Sequence, residues 1–358
     1  MEILQIIKAD GDFDPKLEPE ISEQDLLKMH KQMLTVRKFN ERGMPLQRQG
    51  RIGFFMESTG QEACQVGSAN ALTPKDWAFP SYRDPGICLV RGVPLSTLWD
   101  QMMGNSVDES KGRSLPTHWS FKKWNIVTLS SPIGSKLLHA VGVAYAAKHK
   151  RDKVVAFASL GEGATSQGEF HAAMNFAGVY RTPVVFFCEN NQYAISLPVR
   201  RQTASASIAV KAEAYGFEGF QIDGNDILAV YKATKSAVEK ARAGDGPTLI
   251  EAITYRMGGH STSDDPSVYR SSEEVEHWKK RDPILRFTAY LKNKGMLTDQ
   301  ENKRLQEETE QEVSSVVKQR LTVPPPAKSS LFTDVYSEMP WHLQEEADEF
   351  MRDEDNAS

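Results

Sequence analysis

The segment Lys153–Pro198 restricts the possible folds of this chain more than any other stretch. Its residues 154–160 form a short apolar run with β-branched side chains, which predicts a buried strand. Residues 164–178 have a helical period and many small side chains, and residues 183–188 predict a second buried strand. A strand, a helix and a second strand in this order predict a parallel, right-handed βαβ unit. We therefore expect an α/β protein built on a parallel sheet.

A polar cluster follows each of these two strands. Gly161-Glu162-Gly163 comes directly after the first strand, and Asn190-Asn191 lies just past the second. The carboxyl ends of adjacent parallel strands lie at one edge of a sheet, where open α/β sheets bind ligands. Glycines there permit a tight turn and a close approach of the backbone to a ligand. We expect the carboxylate of Glu162 and the amide oxygen of Asn191 to meet at a hard cation, which in turn holds phosphate oxygens.

Composition and charge indicate which partners the chain can have. The 358 residues carry a formal net charge of −5 and no basic stripe that alternates with aromatic residues, which argues against nucleic acid as a partner. Cys64, Cys88 and Cys188 are widely spaced, so they predict neither a disulfide framework nor a metal site. No apolar run approaches membrane-spanning length, and the N-terminus lacks the features of a signal or transit peptide. These features predict a soluble, cytoplasmic protein with no membrane partner.

The rest of the chain extends the βαβ unit on both sides. Residues 1–20 are expected to form an extended arm, residues 21–322 one α/β domain, and residues 323–358 a C-terminal tail with a frayed end. Strand and helix signals alternate from about residue 125 to residue 260, which predicts helices on both faces of the parallel sheet. Ser22 and Asn225 are the predicted N-caps of two helices. The other predictions are helices at 62–71, 95–103, 134–150 and 208–215, strands at 219–222 and 248–255, loops at 76–86, 111–132 and 257–272, and a charged helical region at 273–321.

The spacing of the two polar clusters is similar to that of a known cofactor motif. A Gly-acid-Gly turn, followed after 26 residues (164–189) by Asn-Asn, resembles the thiamin diphosphate motif. From Glu23 to Gln344 the chain resembles the α subunit of heterotetrameric 2-oxo acid dehydrogenase E1 components, and within that family the branched-chain 2-oxo acid dehydrogenases. The stretches that carry this resemblance are RQGRIGFFMESTGQEA, SSPIGS, GEGATSQGEFH, ENNQYAIS, HSTSDDP and LFTDVYSEMPWHL.

The resemblance implies a thiamin diphosphate-binding fold and a specific set of site residues. Mg²⁺ would be held by the side chains of Glu162 and Asn191 and by the backbone carbonyl of Tyr193. His260 would be the catalytic residue, because an imidazole can transfer protons at working pH. The implied cofactor-binding residues are Tyr82, Arg83, Ser131, Ile133, Gly161, Glu162, Gly163, Ala164, Asn191, Arg256 and His260, and the implied substrate pocket contains Phe54, Tyr82 and Ser131.

Several positions depart from the family pattern. Most relatives have Asp at the position of Glu162, and the branched-chain members resemble this chain in having Glu. Glu189 stands where mammalian branched-chain members have an Arg, so no diphosphate contact is implied there. Lys136 replaces a neutral residue of their potassium-binding loop, so no potassium site is implied either. Ser261 corresponds to a regulatory phosphoserine of eukaryotic relatives, and the sequence does not decide whether a kinase acts here.

The activity implied is the decarboxylation of a 2-oxo acid on thiamin diphosphate, followed by reductive acylation of a lipoyl group on an E2 core. The resemblance also implies an E1 β subunit in an α2β2 heterotetramer, because this chain carries only the diphosphate-binding half of the cofactor site. Two alternatives stay open, a pyruvate dehydrogenase E1 α subunit and a catalytically inactive structural subunit of the same fold. An NAD-binding site is disfavoured, because Gly161-Glu162-Gly163 lacks the third glycine of that motif.

Overall fold

The computed structural model describes residues 3–357, and the side chains of residues 3–352. In that part of the chain five parallel strands form the central sheet, in the order β1-β2-β3-β7-β6. The next two strands after β3 in the sequence, β4 and β5, form a separate short antiparallel hairpin. The strands are β1 (Trp77–Phe79), β2 (Ala156–Gly161), β3 (Val184–Asn190), β4 (Tyr193–Ala194), β5 (Leu197–Pro198), β6 (Glu218–Asp223) and β7 (Thr248–Ile253). The predicted parallel sheet is confirmed.

Helices account for most of the remaining regular structure. The α-helices of the described residues are α1 (Glu23–Arg48), α2 (Glu62–Asn70), α3 (Pro85–Val90), α4 (Leu95–Met103), α5 (Ser135–Lys150), α6 (Gly168–Tyr180), α7 (Val199–Gln202), α8 (Ile227–Ala243), α9 (Ser272–Lys279), α10 (Pro283–Asn293), α11 (Asp299–Arg320), α12 (Ser330–Thr333) and α13 (Trp341–Ala357). Short 3₁₀ helices span Lys122–Trp124, Glu162–Ser166, Ala209–Tyr215 and Pro266–Val268. Among residues 3–357, no helix is both long and apolar enough to span a lipid bilayer.

The central strands bury both of their faces, and alternate residues pack into two different cores. Ala158 and Phe186 pack with α5 and α6. Phe157 and Phe187 pack on the opposite face, with α8 and with helices from the N-terminal part of the chain. A strand that is apolar on both sides requires cover on both faces of its sheet. The prediction of a parallel sheet between two layers of helices is therefore confirmed.

The register of the sheet brings the two polar clusters together. Gly161 at the end of β2 pairs with Glu189 near the end of β3, and Asn190 pairs with Ile253 at the end of β7. Each of these strands thus ends at the same edge of the sheet, and the turn that contains Glu162 lies beside the loop that follows Asn190. This alignment positions the cavity described below.

The N-terminal arm is tied to the body of the protein by Asp226. One carboxylate oxygen of Asp226 accepts hydrogen bonds from the backbone N–H groups of Ile6 and Ile7, both at 2.6 Å. Its other oxygen accepts two amides of the first turn of α8, at 3.0 and 3.2 Å. Ile6 and Ile7 are buried in a core with α1 and α10. One side chain therefore caps a helix and holds the arm.

Three local predictions are wrong. Residues 76–86 are not a loop, because Trp77–Phe79 forms the edge strand β1, which is too short to show a sequence period. The N-cap of α8 is Asp226 and not Asn225, whose amide instead donates to the carbonyl of Arg281. The helix expected from residue 164 begins at Gly168, because a 3₁₀ turn comes first.

The C-terminal part of the chain also differs in detail from the prediction. Three helices, α9 to α11, occupy the region expected to be one helical stretch, and a capping box at Thr298 begins the last of them. The tail contains α12 and α13, and the expectation of a frayed end stays a prediction. Residues 1, 2 and 358, at the ends of the predicted arm and tail, lie outside the described residues. The domain division at residues 20 and 322 stays a prediction.

The double role of Asp226 can be tested with two substitutions. Asp226→Ala removes the cap and both bonds to the arm, so we expect a loss of about 2–4 kcal/mol in unfolding free energy. Asp226→Asn can still cap α8 through its amide oxygen, but its NH₂ group opposes the N–H groups of Ile6 and Ile7. We therefore expect a smaller loss of stability, together with faster hydrogen exchange in residues 3–13, measured by urea unfolding and mass spectrometry.

The control for this experiment is Asp10→Asn, because the exposed Asp10 accepts only one amide of the arm. It should change the unfolding free energy by less than about 0.5 kcal/mol. Equal exchange rates in Asp226→Asn and the unmodified chain would show that Asp226 does not hold the arm.

Candidate functional site

A cavity of about 410 Å³ opens at the carboxyl edge of β2 and β3. The sequence-predicted residues that line it are Tyr82, Arg83, Ser131, Ile133, Gly161, Glu162, Gly163, Ala164, Asn191, Tyr193, Arg256 and His260. Phe54 is not among the described lining residues, and Met56, two positions further on, lines the cavity. The structure thus brings the predicted residues together with one exception, and the role assigned to each stays a prediction.

The predicted metal ligands converge at the centre of this cavity. The carboxylate of Glu162 is 1% exposed and accepts a hydrogen bond from the backbone N–H of Asn191 at 3.2 Å. Among the described residues Glu162 forms no ion pair, and burial raises the pKa of its carboxyl. A buried carboxylate without a cation is costly, and a bound metal ion would remove that cost. The residues present therefore fit a cation beside Glu162.

Asn191 and Tyr193 are oriented by their neighbours. The backbone N–H of Tyr193 donates to one terminal atom of Asn191 at 3.3 Å, which identifies that atom as the amide oxygen. The NH₂ group of Asn191 then donates to the side-chain oxygen of Gln61 at 3.0 Å. The carbonyl of Tyr193 accepts a bond from Arg256 at 2.9 Å and retains a second lone pair. Oxygen ligands of these types suit Mg²⁺. No group of three or more His, Cys, Asp or Glu side chains in residues 3–357 could hold a metal ion, and the proposed set contains only one such side chain.

The backbone conformation of the two glycines around Glu162 is not the reason that glycine occupies these positions. Neither Gly161 nor Gly163 has a positive φ. A Cβ on Gly161 would meet no atom within 4 Å, whereas one on Gly163 would lie 3.0 Å from the Cβ of Ala194. Glycine is thus needed at position 163 because the hairpin approaches closely, and at position 161 it leaves space for a ligand.

The loop after β3 contains two residues with strained backbone. Gln192 has φ of 77° and Ile195 has φ of 55°, and such values are rare for a β-branched residue. The carbonyl of Ile195 accepts a hydrogen bond from Arg256 at 2.6 Å, which helps to hold this conformation. Strain of this kind is typical of functional sites.

Arg83 fixes the position of His260. Its guanidinium donates to the backbone carbonyl of His260 at 2.9 Å and to the Nδ1 atom of the ring at 3.2 Å. Because Nδ1 accepts this bond, the neutral ring carries its proton on Nε2. Burial, and then the charges of Arg83 and Arg256, lower the pKa of His260 to about 3. The protein without a bound anion therefore keeps this histidine neutral.

The loop that carries His260 is held by a network of hydrogen bonds. The backbone N–H of His260 and the hydroxyl of Tyr269 both donate to Asp264, at 2.6 and 2.5 Å. Tyr269 in turn accepts a bond from Arg256 at 2.9 Å. The guanidinium of Arg270 donates to three consecutive carbonyls at the start of the loop. These contacts link the loop to the wall of the cavity.

Ser131 is linked to a histidine that sequence reasoning missed. Its hydroxyl lies 2.6 Å from Nε2 of His118, whose Nδ1 lies 3.1 Å from the carbonyl of Pro116. The second bond requires a proton on Nδ1, so the Ser131 hydroxyl donates to Nε2. The rings of His118 and Tyr82 stack, with centroids 6.3 Å apart. Because His118 lies in a long irregular segment with no motif, no local signal could have identified it.

Other cavity residues carry polar atoms without a protein partner. The side-chain nitrogen of Gln61, one oxygen of Asp84 and one oxygen of Glu189 are all buried without a hydrogen bond among the described residues. All three residues line the cavity, as does Lys136. Buried polar groups are rarely left unpaired, so the cavity has the properties of a site for a polar ligand.

The fold and the cavity define a class of protein, the α/β proteins that bind a ligand at the carboxyl edge of a parallel sheet. Residues 30–327 match the family model described as "Dehydrogenase E1 component". The chain belongs to the dehydrogenase E1 component family. Enzymes of this family depend on thiamin diphosphate.

Named relatives are similar over most of this chain. A human protein named 2-oxoisovalerate dehydrogenase subunit alpha, mitochondrial, is 41% identical over 98% of this chain and 79% of its own length. The protein of the same name from Caenorhabditis elegans is 42% identical over 98% of this chain and 81% of its own length. The 2-oxoisovalerate dehydrogenase subunit alpha of Bacillus subtilis (strain 168) is 43% identical over 88% of this chain and 97% of its own length.

These relatives correct one prediction. The sequence predicted a cytoplasmic location, and this prediction is wrong, because the human and nematode relatives are named mitochondrial. The name of the Bacillus subtilis relative includes no compartment. Similarity to this set of proteins therefore assigns no single location.

The effect of Arg83 on His260 gives a testable pKa change. Replacing Arg83 with Met removes a positive charge next to the ring, which favours the protonated imidazole, so the pKa of His260 should rise by about one to three pH units. The measurement is a histidine side-chain NMR titration of the unliganded protein. Arg304→Met, which removes an exposed guanidinium from α11, is the control. An unchanged pKa in Arg83→Met would show that burial and Arg256 keep His260 neutral without a contribution from Arg83.

The packing of the His260 loop can be tested at two adjacent glycines. A Cβ on Gly258 would overlap the carboxylate of Glu57, whereas the nearest atoms to a Cβ on Gly259 lie at an ordinary 3.4 Å. We expect Gly258→Ala to lower the unfolding free energy by about 1–3 kcal/mol, and Gly259→Ala by less than about 0.5 kcal/mol. Equal effects of the two substitutions in urea unfolding would contradict this packing.

Proposed function

We propose that this chain is the α subunit of the E1 component of a branched-chain 2-oxo acid dehydrogenase complex. The observation that carries the proposal is the buried carboxylate of Glu162, which has no cationic partner among the described residues and lies beside Asn191 in a polar cavity. Membership of the dehydrogenase E1 component family supports it, as do the names of the relatives. The activity is the oxidative decarboxylation of a 2-oxo acid and the reductive acylation of a lipoyl group on an E2 core.

In this proposal the cavity holds thiamin diphosphate and Mg²⁺. Glu162, Asn191 and the carbonyl of Tyr193 hold the metal ion, which in turn holds the diphosphate. Gly161, Gly163 and Ala164 leave the backbone open to the cofactor, and Ile133 and Ser131 lie beside it. When bound, thiamin diphosphate supplies the carbon that attacks the 2-oxo group and accepts the electrons released with CO₂.

The protein's own residues then bind the anionic groups and move protons. Tyr82, Arg83 and Arg256 bind diphosphate oxygens. The negative charge of the diphosphate offsets the two guanidinium charges that keep His260 neutral, so the pKa of His260 rises when the cofactor binds. A histidine with a pKa closer to neutrality can donate and accept protons during the reaction. Phe54 contributes to the acyl pocket outside this cavity.

The chain requires an E1 β subunit in an α2β2 heterotetramer. The resemblance implies that the carboxylate next to the cofactor's pyrimidine comes from that subunit. In support, α5 and α6 present exposed aromatic and aliphatic side chains, among them Tyr145, Phe176 and Val179, which are 47%, 48% and 68% exposed. Exposed apolar groups in one area suit a protein interface. The chain alone is therefore expected to lack turnover.

The proposal is tested by co-expression with a candidate β subunit encoded next to this chain. Decarboxylation of 3-methyl-2-oxobutanoate and of pyruvate is measured with thiamin diphosphate and Mg²⁺. Glu162→Gln keeps the size of the side chain but removes its charge, so Mg²⁺-dependent cofactor binding should weaken at least about 100-fold. Glu213→Gln changes an exposed glutamate and should have no effect.

Each outcome of this assay distinguishes the candidate functions. Preference for 3-methyl-2-oxobutanoate, lost in Glu162→Gln, supports the branched-chain assignment. Preference for pyruvate keeps the chemistry and assigns the chain to a pyruvate dehydrogenase. Failure of the wild-type complex to bind the cofactor or to act on either acid favours a structural subunit without activity.

A further inference from the structure

Lys136 is a buried cation in the wall of the cavity. It lies in the first turn of α5, is 4% exposed and lines the cavity next to Ser131 and Ile133. Burial lowers its pKa to about 8, so the amine is still mostly protonated at pH 7. A buried lysine is normally paired. In the described part of the chain, however, its Nζ atom donates no hydrogen bond and forms no ion pair.

The other cations of the cavity wall are already bonded to the protein. The terminal nitrogens of Arg83 donate to the backbone carbonyls of Glu57 and His260. Those of Arg256 donate to the carbonyls of Tyr193 and Ile195. His260 is neutral. Among the described residues, Lys136 is thus the lysine or arginine of the cavity lining that makes no hydrogen bond to the protein.

The nearest acidic groups do not satisfy Lys136. Asp84 and Glu189 act on it electrostatically, yet neither forms an ion pair with it in the described structure. Asp84 accepts hydrogen bonds from the N–H and hydroxyl groups of two serines. Neither carboxylate therefore bonds directly to Lys136.

We propose that Lys136 binds an anionic oxygen of the ligand that occupies this cavity. The inference rests on the proposed function, because thiamin diphosphate and a 2-oxo acid are the anionic ligands it considers. A phosphate oxygen and a carboxylate oxygen offer an ammonium group the same chemistry, a charge-assisted hydrogen bond. Lys136 thereby adds a basic contact that the sequence motifs do not assign.

The test uses the complex of this chain with its β subunit, in the presence of Mg²⁺. Calorimetry measures the Kd for thiamin diphosphate in the wild type and in Lys136→Met. Loss of one charge-assisted contact should weaken binding about 10- to 100-fold. Thiamin monophosphate, measured in parallel, should show a smaller loss if Lys136 contacts the terminal phosphate. If the contact is to the substrate instead, the Kd is unchanged and the KM for the branched-chain 2-oxo acid rises by the same factor.

Lys148→Met is the matched control, because Lys148 lies on the same helix and donates to the carbonyls of Tyr180 and Arg181 outside the cavity. It should leave both constants unchanged. If Lys136→Met leaves the cofactor Kd and the substrate KM within about twofold of the wild type, Lys136 is only a buried counter-charge and the proposal is overturned. If the wild-type complex binds no thiamin diphosphate, the proposed function fails and this inference fails with it.

A measurement on the unmodified protein guards against misfolding of the variant. Reductive methylation with formaldehyde and a borane reductant, followed by mass spectrometry, reports the reactivity of each lysine. Thiamin diphosphate with Mg²⁺, or 3-methyl-2-oxobutanoate, should slow the labelling of Lys136, whereas the labelling of Lys148 should not change. Equal labelling of Lys136 with and without these ligands would also overturn the proposal.

Discussion

The buried carboxylate of Glu162 is the constraint on which the site depends. A parallel sheet covered on both faces leaves only its edges for a ligand, and the register of β2 and β3 brings Glu162 and Asn191 to the same edge. Burial removes water from the carboxylate, and Arg256 and Arg83 act on it electrostatically, but among the described residues no cation forms an ion pair with it. Such a group is stable only when a cation or a proton joins it. In our proposal a metal ion takes this position.

Positive charge on the other side of the cavity complements this arrangement. Arg83 and Arg256 bond to backbone carbonyls of the loops that carry His260 and Tyr193, so that one set of contacts orders the loops and creates a positive field. Burial, together with that field, lowers the pKa of His260 and keeps its ring neutral. In our proposal a metal ion supplies the positive charge that Glu162 lacks, and the diphosphate supplies the negative charge that the two arginines lack.

The sequence predicted the centre of the site better than its surroundings. Glu162 and Asn191 follow strands with clear apolar patterns, so the topology rules for parallel sheets bring them together without further information. His118 contacts Ser131 from a segment without a period or motif, and only tertiary packing reveals its position. The edge strand β1 was missed for the same reason, since three residues are too few to show a period. The prediction of Asn225 as the N-cap of α8 was wrong because Asn225 and Asp226 are both good caps. Tertiary contacts decide between them.

The most direct test of the account replaces Mg²⁺ with Mn²⁺ in crystals of the complex with thiamin diphosphate. Anomalous diffraction then locates the metal ion. We predict one Mn²⁺ bonded to the carboxylate of Glu162, the amide oxygen of Asn191, the carbonyl of Tyr193 and two diphosphate oxygens. A cofactor bound elsewhere, or a metal ion that does not contact Glu162, would contradict the account.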